Sequence, residues 1–245
     1  MQTPSMITLM LMMLAMALAL GGCALPPPAA PLREPPPLPA ATPSGVELTD
    51  FAEVVTRAGP AAEQLCSQVS PHLNCNFLFV IDDRPGQPPN AFHLRDRRGR
   101  PVIGFTSSFL AEMRNADEIA MVLGHEAGHH IADHLPRLQR ETEIGARMGG
   151  VAAMLSGLDR ESTRELVNAA ALVRQRRYSQ AFEFEADEIG TVIAYRAGFD
   201  PRRGSALLRR TPDPANRFLA THPPSAERLR VIERVITRLE AGQTS

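Results

Sequence analysis

The stretch from Asn115 to His134, NADEIAMVLGHEAGHHIADH, constrains the fold of this 245-residue chain more than any other. Asn115 suits a helix cap, Glu118 three residues on can return the hydrogen bond, and Ile119, Val122, Leu123 and Ile131 supply apolar anchors until Pro136 marks the end. At about 100° per residue, His125 and His129 stand one above the other on one face, with Glu126 at its flank. A long, capped helix is required to hold them so.

Two imidazoles at this spacing can chelate one metal ion. Neutral imidazole nitrogens suit Zn²⁺, a catalytic zinc keeps one position open for water, and an adjacent carboxylate, here Glu126, can take that water's proton. A third ligand must come from elsewhere. Leu135 and Ala132 stand where a metzincin has its third His and its turning Gly, which excludes that arrangement. His134, on the continuation of the helix, is rotated to the far side from His125 and reads as a hydrogen-bonding or packing residue. Downstream, Phe182, Ala186, Ile189 and Ile193 recur at helical spacing, which stacks Glu183 and Asp187 one turn apart on a neighbouring face. One carboxylate can bind metal while the other orients a ligand histidine through its second ring nitrogen. Glu185 competes with Glu183 for the ligand role, from a position turned about 200° on the helix.

HExxH at His125, followed by Glu183-x-Glu-Ala-Asp187 and later by Thr221-His222-Pro223, resembles the gluzincin metallopeptidases, the family that includes HtpX, the CaaX prenyl proteases and the periplasmic BepA and LoiP proteins. The resemblance implies a zincin-like catalytic domain with one Zn²⁺ per chain, and it selects Glu183 as the third ligand beside His125 and His129. It also implies that Asp187 supports a ligand from behind, that Glu126 is the catalytic base, and that the substrates are proteins or peptides. For His222 it implies an approach to the zinc, leaving open a regulatory block of the water's position, a catalytic hydrogen bond or a structural role. One departure is Ser179-Gln180, where the family reads Ser-Arg.

Residues 1–22 read as an export signal: Met6 to Leu20 is apolar apart from Thr8, and Leu20-Gly-Gly-Cys23 resembles a bacterial lipoprotein box. That box implies lipidation of Cys23 and membrane attachment. With Ala24-Leu25 following in place of Asp, the expected location is the periplasmic face of the outer membrane. Residues 23–45 form a proline-rich tether, extended as polyproline II, and residues 46–245 form the folded domain. Cys66 and Cys75 remain as a disulfide pair, which an exported chain permits. A formal net charge of −1, with arginine scattered along the chain, excludes a nucleic-acid partner.

The pattern predicts a mainly α domain with a small β-hairpin or sheet, an α+β fold. A short helix near Phe51 and a second from Pro60 to Val69 precede a buried strand Phe77–Ile81 and a hairpin of Asn90–Leu94 with Pro101–Phe105. Asn90–Leu94 is the candidate edge for pairing with an extended substrate, with His93 an ordinary strand residue. Met148–Gly157 is a mobile cover or a packed helix, too short to span a bilayer. Ser225–Leu239 closes the domain as an amphipathic helix with Leu229, Ile232, Val235, Ile236 and Leu239 on its apolar face. Together these readings lead to the expectation of a zinc endopeptidase acting on misfolded or misassembled envelope proteins. The alternative is an outer-membrane protein assembly factor with little proteolytic turnover.

Overall fold

Two helices that cross backbone to backbone set the position of everything else in the domain. The computed structural model describes residues 45–210 and 225–242; the segments read from the sequence as an export signal and a tether, with Cys23, and residues 211–224, with His222, lie outside the described residues. In chain order the elements are α1 (Gly45–Val69), β1 (Leu78–Asp82), β2 (Ala91–Arg95), β3 (Pro101–Thr106), α2 (Ser107–Leu110), α3 (Ala116–Ile131), α4 (His134–Leu155), α5 (Arg160–Arg196), α6 (Pro201–Gly204), α7 (Ala206–Arg210) and α8 (Ser225–Glu240). The fold is mostly helical with one three-stranded sheet, as the patterning predicts.

The two short helices expected around Pro60 are one, α1. Proline at 60 removes one backbone hydrogen bond. Val54, Ala58, Ala62, Leu65 and Cys66 nevertheless form a single buried stripe across it, and burying such side chains, at about 1.5–3 kcal/mol for each large one, outweighs the loss. A disulfide from Cys66 to Cys75, with Cα atoms 5.7 Å apart, ties the end of α1 to the segment entering β1.

The strand order is β1-β3-β2, with β1 parallel and β2 antiparallel to β3. Strand β3 is buried along its whole length between its neighbours, whereas β1 and β2 are the edges among the described residues; β1, expected as a buried strand, is instead partly exposed because it has a neighbour on one side alone. The turn joining β2 to β3 closes at Asp96, whose carboxylate accepts the Arg98 and Arg100 N–H groups, with Gly99 at φ 76°.

Asn115 caps α3 by accepting the Glu118 N–H at 3.1 Å. Glu118 returns the bond one residue earlier than expected, to the Arg114 N–H at 2.9 Å, and also pairs with Arg210. From Asp117 to Ile131 only His129 is more than marginally exposed, so α3 runs through the core and not along its rim. Its apolar anchors Ile119, Leu123 and Ile131 pack with Val54 and Ala58 of α1, Ile103 of β3, Ile193 of α5 and Ile232 of α8.

The helix stops at Ile131, five residues before Pro136. Asp133 takes a left-handed conformation (φ 56°, ψ 40°), held by Arg95, whose guanidinium donates to its carboxylate at 2.6 Å. The chain turns there and continues as α4, which pairs with the outer half of α5 through Gly145 and Gly149. Met148–Gly157 thus belongs largely to a packed helix, with Met148, Val151, Met154 and Leu155 facing outward. No described helix is long and apolar enough to cross a membrane.

Candidate metal centre

The crossing of α3 with the inner half of α5 is made by small residues. A Cβ placed on Gly124 would lie 2.7 Å from the Gly190 carbonyl oxygen, and one on Gly128 would lie 2.8 Å from that of Ala186. Only glycine permits such an approach. It brings Glu183, one turn before Ala186–Asp187, up to the histidine face of α3.

His125 Nε2, His129 Nε2 and the Glu183 carboxylate converge on one point. The nitrogens are 3.1 Å apart, and each lies 3.3 Å from a different Glu183 oxygen. Among the described residues these three form the group able to hold a metal ion. The fit is quantitative: ligand atoms around a tetrahedral zinc with bonds of about 2.0–2.1 Å lie about 3.3 Å apart. It is also chemical, because two imidazole nitrogens and a carboxylate meeting at one point are the donor types that a catalytic zinc takes. Burial pushes the His129 imidazole down to about 4, helped by the neighbouring His125 and opposed by Glu126, so it stays neutral as ligation requires.

The second nitrogen of each histidine is engaged. His125 Nδ1 lies 2.9 Å from Asp187 Oδ1. Asp187 is in turn gripped by Arg228 from α8, whose Nη2 and Nε donate to its two oxygens at 2.6 and 2.7 Å. Asp187 and Arg228 are both buried. Burial opposes ionisation of Asp187, but the Arg228 charge and hydrogen bonds, with those of His125, hold its carboxyl well below the usual carboxylate range. His129 Nδ1 lies 2.9 Å from His134 Nδ1, and His134 Nε2 lies 3.1 Å from Glu185 Oε2. Glu185 therefore faces away from the convergence point.

The sequence model of peptidase family M48 matches residues 61–236. The chain belongs to peptidase family M48. It is 32% identical over 162 residues to the mitochondrial metalloendopeptidase OMA1 of Schizosaccharomyces pombe, covering 64% of this chain and 45% of that protein. The corresponding figures for OMA1 of Saccharomyces cerevisiae are 32% over 162 residues, 62% and 44%. It is 30% identical over 128 residues to the beta-barrel assembly-enhancing protease of Escherichia coli (strain K12), covering 47% of this chain and 26% of that protein. The matches span less than half the length of these relatives. M48 peptidases are zinc-dependent metallopeptidases in general, in keeping with the donor set gathered here.

Of the other site residues read from the M48 motifs, Glu126 is buried beside His129, near enough for its charge to favour a proton there, and His222 lies outside the described residues. His93 lies on edge strand β2, its ring centroid 5.2 Å from that of His130, and it is not part of the convergent group. Gln180, standing where the family reads Arg, donates to Glu227 of α8 at 3.3 Å. His134 is the hydrogen-bonding and packing residue that the sequence reading made it, but helical spacing misplaced its ring: α3 ends at Ile131, and the left-handed Asp133 swings the ring back onto His129. Two features went unread although signals existed. Arg228 occupies the same stripe as Ile232, Val235 and Leu239, a charged residue on an otherwise apolar face. The Gly124–Gly128 and Ala186–Gly190 pairs are small residues four apart on each of two helices.

Proposed function

We propose that the chain is a zinc-dependent endopeptidase of the HExxH gluzincin type, acting in a bacterial cell envelope on misfolded or misassembled envelope proteins. The convergence of His125, His129 and Glu183 carries this reading. These three residues would hold the ion, which when bound supplies Lewis-acid polarisation of the scissile carbonyl and acidifies water. Asp187 and Arg228 fix the His125 ring. Glu126 accepts a proton from the attacking water and delivers it to the leaving amine. The side of β2 that has no partner strand among the described residues offers backbone groups to an extended substrate, which suits clients that differ in side chains.

The deciding experiment compares zinc content and casein cleavage of the wild type with Glu126→Gln. The expected result is zinc retained at one per chain and cleavage reduced by at least about 100-fold. Equal cleavage in both proteins would remove Glu126 from the reaction. In the same assay, His222→Ala separates the roles that the resemblance leaves open for it: cleavage raised or preserved would mean that His222 blocks the water's position, and loss of cleavage would make it a catalytic partner.

The envelope setting is supported by the lipoprotein box, by the proline-rich segment 23–45 between Cys23 and the folded domain 46–245, and by the E. coli relative, whose name places it in β-barrel assembly. Incorporation of a palmitate analogue that is abolished in Cys23→Ser tests the anchor; equal labelling of both would refute it. That same relative favours a second reading, an outer-membrane protein assembly factor with little turnover. In that case Glu126→Gln would restore barrel assembly in a deletion strain as well as the wild type does.

A further inference from the structure

We propose that His134 and Glu185 are positioning residues that select the metal-binding tautomer of His129. The inference rests on the reading of His125, His129 and Glu183 as the ligand set and extends it one layer outward.

The protons in this chain of contacts follow from one end. The Glu185 carboxylate only accepts hydrogen bonds, and it faces His134 Nε2 at 3.1 Å, so that nitrogen carries the proton. A neutral imidazole has a single N–H, which leaves a lone pair on His134 Nδ1. That lone pair faces His129 Nδ1 at 2.9 Å, so the His129 proton resides on Nδ1. The lone pair of His129 is therefore on Nε2, the atom that points at His125 Nε2 and Glu183. Reversing any one proton would leave two N–H groups or two lone pairs opposed, or would put a proton on the nitrogen that faces the metal position.

The surroundings hold the relay in register. His134 stacks on Phe182 with ring centroids 4.4 Å apart and planes 14° from parallel, which fixes its rotation. Arg137 donates both to Glu185 Oε2 and to the Ala132 carbonyl, each at 2.9 Å, and its guanidinium lies over the Phe182 ring. The Ala132–Asp133 break between α3 and α4 gives the geometry its origin: with α3 continued as a regular helix, His134 would point away from His129. Glu185 is turned outward from Glu183 by its two-residue offset, so α5 supplies a ligand on one face and the anchor of this relay on the other.

The test uses the full chain with His134→Phe, His134→Asn, Glu185→Ala and Glu185→Gln. Zinc affinity is measured by competition with a chromophoric chelator, and the ligand field is read from the absorption spectrum of the cobalt-substituted proteins. Phenylalanine keeps the stacking on Phe182 but cannot accept from His129, and zinc affinity is expected to fall about 10- to 100-fold with an altered cobalt spectrum. Asparagine, whose Oδ1 accepts near the position of Nδ1, is expected to recover most of the affinity and the wild-type spectrum. Glu185→Ala should weaken binding and Glu185→Gln, which keeps an acceptor, should not. Wild-type affinity in His134→Phe, or a loss that His134→Asn does not rescue, would overturn the proposal. If substitution prevents folding, nitrogen NMR of ¹⁵N-histidine in the metal-free wild type decides instead: the relay requires the Nδ1–H form of His129, and the Nε2–H form would overturn it. Failure of the underlying ligand assignment looks different, because wild-type protein would then not take up one zinc, or Glu183→Ala would bind it unchanged.

Discussion

His125 and His129 stand four residues apart on one helix, yet what lies behind them differs in kind. Behind His125 is a sealed ionic pair, Asp187 with Arg228, assembled from α5 and from α8 across a separation of 41 residues. Behind His129 is an uncharged imidazole whose carboxylate anchor, Glu185, is 42% exposed and shares its load with a half-exposed arginine. The first support ties the site to the packing of the whole domain. The second is local, built within α4 and one face of α5. Damage to the first should therefore register as lost stability, and damage to the second mainly as altered metal binding.

The sharpest way to break this contrast is Arg228→Met, which leaves Asp187 charged, buried and without its cation. Removing one partner of a buried pair costs about 3–5 kcal/mol, measurable by urea unfolding of the metal-free protein. The double variant with Asp187→Asn should recover much of that loss. A cost under about 1 kcal/mol for Arg228→Met would show that the ionic support is not sealed.

Acid separates the two sides next. Burial holds His129 at about 4 and, with a contribution from neighbouring imidazoles, His93 at about 3, while His130 and His134 are also lowered by burial. Unfolding returns these groups towards 6.5, so the unfolded chain binds more protons as pH falls. Their contribution to stability is fully present above pH 6.5 and is lost progressively as pH falls towards 4, at up to about 1.4 kcal/mol per pH unit for each imidazole that charges on unfolding. Asp187, with its carboxyl held low, keeps its pair with Arg228 through that interval. Urea midpoints of metal-free protein at pH 7.5, 6.0 and 5.0 check the slope; a flat profile would refute it.

The smallest effect is expected from Arg137→Ala. Both partners are more than a third exposed, so solvent screens the pair, and the stability change should stay within about 1 kcal/mol. A larger loss would mean that the His129 side is as tightly integrated as the other.

Much of this could be read from the sequence where local chemistry decides. The Asn115 cap, the apolar spacing of α3 and α8, the three strands and the one-turn offset of Glu183 and Asp187 all follow from periodicity and capping. What escaped depended on neighbours distant in the chain. Helix α1 continues through Pro60 because its buried stripe does, and α3 ends at Ile131 because Arg95 of β2 stabilises a left-handed Asp133. A helical wheel holds no information about either. Arg228 was visible as an anomaly on an apolar face, but its meaning required Asp187 to be opposite it.

Where α3 and α5 touch at Gly124, Gly128, Ala186 and Gly190, no side chain mediates the contact. An ordinary core contact can drift by exchanging Leu for Met or Ile, with neighbours adjusting; a contact of main chain on main chain has no such tolerance. The crossing behaves like the pivot pin of a pair of pliers. The outward face of α4 and the surface turns are free to be reshaped like handles, while the pin admits no other gauge.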